Sequence, residues 1–153
     1  MDYVKGILDE ARIQTERYKC NSPSTIWLTA AHQLIASYSV LTRFAETDQH
    51  YRGWHAHHVF EYQDLERLGV AAKFPPYNEQ LTVLLPRAAH VKRINSDLRI
   101  QAPMGAVMKA QELVSAYASA YSLMGDYCGG GEVKIRTELL AVVKTTLRRA
   151  GLA

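Results

Sequence analysis

The chain has 153 residues, with 18 Lys and Arg against 15 Asp and Glu, six His and two Cys. That length suits one domain with a buried core, and 48% hydrophobic with 22% charged residues is ordinary globular usage, which excludes disorder and fibrous repeats. Two cysteines cannot build a disulfide framework or a cysteine-rich zinc module, no apolar run reaches the roughly 18 residues of a membrane span, and a net charge of +3 permits a polyanionic partner without specifying one.

The opening Met1-Asp2-Tyr3-Val4-Lys5 lacks a basic region followed by an apolar stretch, so no secretory signal is expected. From Asp2 to about Lys19, Tyr3, Ile7, Ala11 and Tyr18 fall at helical spacing. Asn21-Ser22-Pro23-Ser24 breaks that pattern and offers caps for a second helix, whose stripe runs Ile26, Ala30, Leu34, Tyr38, Leu41 and Ala45. His32 would then be a packed helix residue and His50 a loop residue. The middle of the chain reads differently. His57–Phe60 and Leu81–Leu85 look extended, a short helix is expected over Tyr62–Leu68, and Gly69 with Pro75-Pro76-Tyr77-Asn78 marks a loop. Pro86 can open a further helix through Val91, Ile94 and Leu98 that stops before Pro103. Helices are then expected from Met104 to Met124 and from Glu132 to Arg149, separated by Gly125 and the triplet Gly129–Gly131 and ended by Gly151. The expectation is a single α+β domain over 1–153, predominantly helical. A helical part (1–47), a core of strand, loop, strand and helix (50–102) and a second helical part (104–150) make it up.

The chemistry concentrates in histidine. Four of the six lie in His50-Tyr-Arg-Gly-Trp-His55-Ala-His57-His58. Imidazole titrates near neutrality and is a common metal ligand. Adjacent histidines on a strand point to opposite faces, so His57 and His58 would do different jobs, while His55 shares a face with His57. His90, on the helix after Pro86, can close the site. The bland reading of the other features holds beside this one. The nine tyrosines suit core packing, Cys20 and Cys128 read as small buried residues, and the glycine triplet lacks the Lys-Ser/Thr of a phosphate loop. Glu61 and Asp64 fit a helix start better than a ligand set.

The run Trp54-His-Ala-His57-His58-Val-Phe-Glu61, followed by Asp64-Leu-Glu-Arg-Leu68-Gly69 and Leu81-Thr-Val-Leu-Leu-Pro86-Arg-Ala-Ala-His90, resembles the HNH endonuclease superfamily. It is closest to the paired-histidine (AHH and WHH) variants of bacterial polymorphic toxins. The resemblance covers roughly residues 53–98. It implies a small ββα-metal element embedded among the flanking helices and a metal-dependent endonuclease acting on DNA, with RNA as the other candidate. His58 would be the general base, and His57 and His90 would hold one divalent cation, Mg²⁺, Mn²⁺ or Zn²⁺, with His55 a possible extra ligand. Arg52, Arg87 and Arg93 would take backbone phosphates. The expected location is the cytoplasm or, in a toxin context, secretion by a specialised system into a target cell, and that context implies a cognate immunity protein as partner. Two positions depart from the family. Gln80 stands where an Asn commonly orients the base, and Ile94 stands where a second helical ligand is usual. Asn95 is the nearest polar substitute, but on a regular helix it would point about 140° from His90. These departures keep a non-catalytic or zinc-stabilised binding module in view, along with a helical protein-interaction domain whose histidines are incidental.

Overall fold

The computed structural model describes residues 2–124 and 134–152, with the side chains of residues 91–93 outside that description. The expected turn at Gly125 and Gly129–Gly131, Cys128 and the side chain of Arg93 all fall outside the described residues. Helix α1 (Tyr3–Glu10) leads into strands β1 (Thr15–Arg17), β2 (Trp27–Thr29) and β3 (Leu34–Ser37), then helix α2 (Tyr38–Thr47) and strand β4 (His55–His58). Helix α3 (Tyr62–Arg67) and two single 3₁₀ turns precede β5 (Leu81–Leu85). A helix follows Pro86, with a π-helical section at Ala89–Asn95 that runs into α4 (Ser96–Gln101); α5 (Ala110–Ser122) and α6 (Ile135–Arg149) complete the described elements. The strands form one antiparallel sheet in the order β1-β2-β3-β5-β4, which places β4 at an edge.

Both faces of the sheet are covered. Ile35, Val83 and Leu85 point into a core filled by Val4, Ile7 and Leu8 of α1, Leu113 and Tyr117 of α5, and Leu139 and Val143 of α6. Leu34, Ala36 and Leu84 point the other way, onto Leu41, Phe44 and Ala45 of α2. The chain is thus a mixed α/β fold with a larger sheet than the sequence leads one to expect.

Three expectations are corrected here. The helix expected over Ile26–Ala45 is two strands and then a helix, because β3 is buried on both faces. A strand buried on both sides shows no alternation and reads as a plain apolar run. A tertiary contact fixes the bend between β2 and β3. Buried Glu138 of α6 accepts from Thr29 Oγ1 at 2.6 Å and from the Ala31 N–H at 3.1 Å. Stranding either donor would cost about 1–3 kcal/mol. His32 is accordingly an exposed turn residue with a φ of 63°, not a packed helix residue. The helix expected to reach Lys19 ends at Glu10, and β1 follows as a polar edge strand with no hydrophobic alternation to announce it. The expected helix from Met104 begins only at Ala110, and Val107 is 99% exposed rather than part of the stripe.

Other expectations hold. Strand β5 covers Leu81–Leu85 as read, and α6 stops at Arg149 with Gly151 at a φ of 79° beyond it. The Leu152 N–H reaches back to the Leu147 carbonyl at 3.0 Å, the bond that closes a glycine-ended helix. No helix among the described residues is long and apolar enough to cross a membrane.

Candidate functional site

Strand pairing decides where the histidines go. His55 lies opposite Leu85 and His57 opposite Val83, on the sheet face that carries α5. Ala56 and His58 alternate to the face that carries α2. The helix after Pro86 then returns along the sheet edge and brings His90 to both. The His90 ring centroid lies 4.8 Å from that of His57 and 5.4 Å from that of His55. His55, His57 and His90, separated by up to 35 positions in sequence, therefore form one cluster.

His57 is buried and its proton position follows from its neighbour. The Tyr121 hydroxyl lies 2.9 Å from His57 Nε2 and also touches the carbonyl oxygen of Val59. A carbonyl can only accept, so the single hydroxyl proton goes to Val59, and the hydroxyl must accept from His57. His57 therefore carries its proton on Nε2. Its Nδ1 is left with a lone pair, buried and without a hydrogen-bond partner among the described residues. Burial holds the pKa of His57 well below the usual imidazole value, with His90 and His58 adding to the effect. The ring is neutral at physiological pH, as a cation ligand must be.

His58 is fixed by different means. Its ring stacks on Tyr38 at 4.9 Å and packs against Tyr77 at 4.2 Å, and its Nε2 lies 3.0 Å from the Tyr77 carbonyl oxygen. That carbonyl again forces a donor, so Nε2 carries the proton and Nδ1 keeps the lone pair. Burial lowers the pKa of His58, partly offset by the hydrogen bond to Tyr77. The orientation expected from Gln80 thus comes from Tyr77. The Gln80 side chain donates to the Pro75 carbonyl at 2.9 Å and acts on the loop that carries Tyr77, not on His58 itself.

The π-helical section changes the reading of Asn95. Hydrogen bonds from i to i+5 widen the turn, so the fifth residue along comes back over the first. Asn95 stands five after His90 and lines the same cleft, while Ile94 turns fully into the core. The Asn95 Oδ1 is buried and without a partner among the described residues. His57, whose ring lies 4.8 Å from that of His90, and Asn95, which lines the cleft with His90, thus each carry a buried acceptor without a partner among the described residues. His90 itself is held near a pKa of about 4 by burial, His55 and His58. The Nδ1 atoms of His90 and His55 lie 3.2 Å apart, which requires one donor and one acceptor. With His55 accepting, His90 keeps its Nε2 lone pair, and His55 orients the ring of its neighbour. Among the described residues no three His, Cys, Asp or Glu side chains converge as a ready-made cation cage.

The cleft has a volume of about 470 Å³ and is lined by Tyr38, His55, His58, Tyr77, His90 and Asn95, with Arg52 and Glu61 at its walls. Of the arginines expected to meet phosphate, Arg52 lines the cleft, whereas Arg87 is exposed and does not. Glu61 takes the N-cap position of α3, and its carboxylate pairs with Arg99 at 3.2 Å. Burial pushes its pKa up against the pull of Arg99. Asp64 in the same first turn is fully buried between Arg67, Arg99 and the Tyr117 hydroxyl, a fixed support beneath the cleft. A larger hollow of about 650 Å³ lies along a different face of α2, beside Lys19, Pro23 and Arg43, and holds none of the histidines. Convergent neutral imidazoles, not volume, single out the smaller cleft.

No family model, curated protein or solved structure matches this chain. The site therefore rests on its own geometry. Sequence reading passed over Tyr38, Tyr77 and Tyr121 by assigning the tyrosines to packing. A signal for Tyr121 was present in the sequence, since Tyr117 and Tyr121 share one helix face four residues apart, and a buried tyrosine hydroxyl needs a partner.

Proposed function

We propose that this chain is a metal-dependent endonuclease of HNH type that hydrolyses phosphodiester bonds of DNA, acting as a bacterial toxin or effector domain. The observation that carries this reading is the pair of buried, unpartnered acceptors, His57 Nδ1 and Asn95 Oδ1, set against neutral His90 and next to a differently oriented His58. His57, His90 and Asn95 would hold one divalent cation, Mg²⁺, Mn²⁺ or Zn²⁺. Such a cation supplies positive charge opposite the phosphate and the leaving oxygen. Hard cations tolerate water among their ligands, so three protein ligands suffice.

The chain's own residues divide the remaining work. His58, with Nε2–H held on the Tyr77 carbonyl, takes a proton from water at Nδ1. The water oxygen forms the new bond to phosphorus, and the bond to the leaving sugar oxygen breaks in line. Arg52 at the cleft wall meets the backbone phosphate. A toxin reading implies a cognate immunity protein that covers this cleft. The test is conversion of supercoiled plasmid to open circle in Mg²⁺, Mn²⁺ or Zn²⁺, with single-stranded DNA and RNA in parallel. Cleavage that EDTA abolishes is the expected outcome; no cleavage of any substrate in any of the three metals refutes the reading.

A second reading has one observation in its favour. The described His, Cys, Asp and Glu side chains include no ready-made cage of three, which suits a non-catalytic, metal-free binding module over a zinc-stabilised one. Such a module would keep its melting temperature on chelation, whereas loss of a metal that binds only the folded state would lower it. Either module would cleave nothing.

A further inference from the structure

We infer that Tyr121, on α5 and outside the strand-and-helix element that carries the histidines, is a positioning residue that selects the ligating nitrogen of His57. The inference rests on the proposed cation site and adds to it a residue that nothing in the histidine pattern points to. The Tyr121 hydroxyl has one proton and two polar neighbours, the Val59 carbonyl and His57 Nε2. Val59 has no proton to give along that contact, so the hydroxyl donates to Val59 and accepts from His57. In neutral imidazole only one nitrogen carries hydrogen. Fixing it on Nε2 fixes the lone pair on Nδ1.

Geometry makes this selection matter. His57 is 1% exposed, so no bulk solvent is at hand to stabilise the other tautomer. Its Nδ1 is the unpartnered atom, and the ring lies 4.8 Å from His90. Val59 is the first residue past β4, where the strand pairing ends, and its carbonyl accepts from Tyr121 of α5. Tyr121 thus ties the end of the histidine strand to α5 and sets the tautomer with the same oxygen. A ring nitrogen partner of this kind typically changes metal affinity by roughly 10–100-fold.

Neighbouring Tyr117 gives the control. Its hydroxyl serves the Asp64 carboxylate and the Glu61 N–H, and no histidine. Tyr121→Phe and Tyr117→Phe therefore remove the same atom from the same helix face, one turn apart. The experiment is ¹⁵N NMR of the histidine rings in the full chain without metal, followed by titration with Zn²⁺ alone. In the unaltered protein His57 should show hydrogen on Nε2 and a bare Nδ1, and Zn²⁺ should shift Nδ1. Tyr121→Phe should give mixed or reversed tautomers and bind Zn²⁺ about 10–100-fold more weakly. Tyr117→Phe should change neither signal, whatever it does to the melting temperature. A His57 tautomer that is unchanged in Tyr121→Phe overturns the inference, as does hydrogen on Nδ1 in the unaltered protein. Correct tautomers in all three proteins' predicted pattern with no Zn²⁺ response would uphold the positioning role and sink the cation site instead.

Discussion

The two faces of strand β4 are one residue apart and chemically unlike. On the α5 face, His57 is sealed in, its proton held by a tyrosine hydroxyl, its Nδ1 buried without a partner among the described residues and its ring 4.8 Å from that of His90. On the α2 face, His58 is clamped between the rings of Tyr38 and Tyr77, its proton held by a backbone carbonyl, and it lines the open cleft. Both imidazoles are neutral with Nδ1 bare. What differs is access: His57 is closed off in the core beside His90, whereas His58 lines the open cleft together with His55, His90 and Asn95. The strand pleat alone supplies this division, because adjacent side chains cannot share a face.

The largest effect is expected on the buried side. His57→Ala should weaken cation binding by more than the roughly 10–100-fold typical of an outer partner, measured by titration calorimetry. A smaller loss would mean that the buried face does not hold the cation. Asn95→Ala should cost about 10-fold by the same measurement. An unchanged affinity would show that the π-helical section brings Asn95 near His90 to no purpose.

How much of this was legible in the sequence depends on the range of the forces involved. His57, His58 and His90 could be placed because β4, β5 and the following helix are consecutive, and strand alternation is a local rule. Asn95 could be named but not placed, since no local rule turns a helix from α to π at Ala89. Ile94 within that section is fully buried, so its orientation belongs to tertiary packing, which no local rule reads. Strands β1 to β3 were read as helix because β3 is covered on both faces and the β2–β3 bend is held by Glu138, more than a hundred positions away. Arg52 and Arg87 looked equivalent in sequence, and only the cleft separates them.

Acid should sharpen the comparison through stability. His57 and His90 both have pKa values below the ordinary 6.5, His90 at about 4, so the unfolded chain binds protons that the folded chain refuses. Their neutral forms thus support the fold fully above pH 6.5, and that support is lost as pH falls from 6.5 toward 4. Urea midpoints without metal should fall across this window, and less so in His90→Gln. A flat profile would contradict the burial of neutral rings. Cleavage should obey the same sign on the other face: the rate rises as His58 loses its proton, with its midpoint below the 6.5 of a free imidazole. The smallest effect is at the cleft wall. Arg52→Ala should lower the salt dependence of nucleic-acid binding by about one contact, while Arg87→Ala leaves it unchanged. Equal effects would remove Arg52 from the proposed substrate path.

The division between the faces is tested most directly by plasmid nicking as a function of cation concentration, with His57→Ala and His58→Ala side by side. The account predicts that raising the cation restores cleavage by His57→Ala toward the unaltered rate. His58→Ala should stay about 10²–10⁴-fold slower at every concentration, the usual worth of a general base. Full activity in His58→Ala, or rescue of His58→Ala by cation, would contradict it.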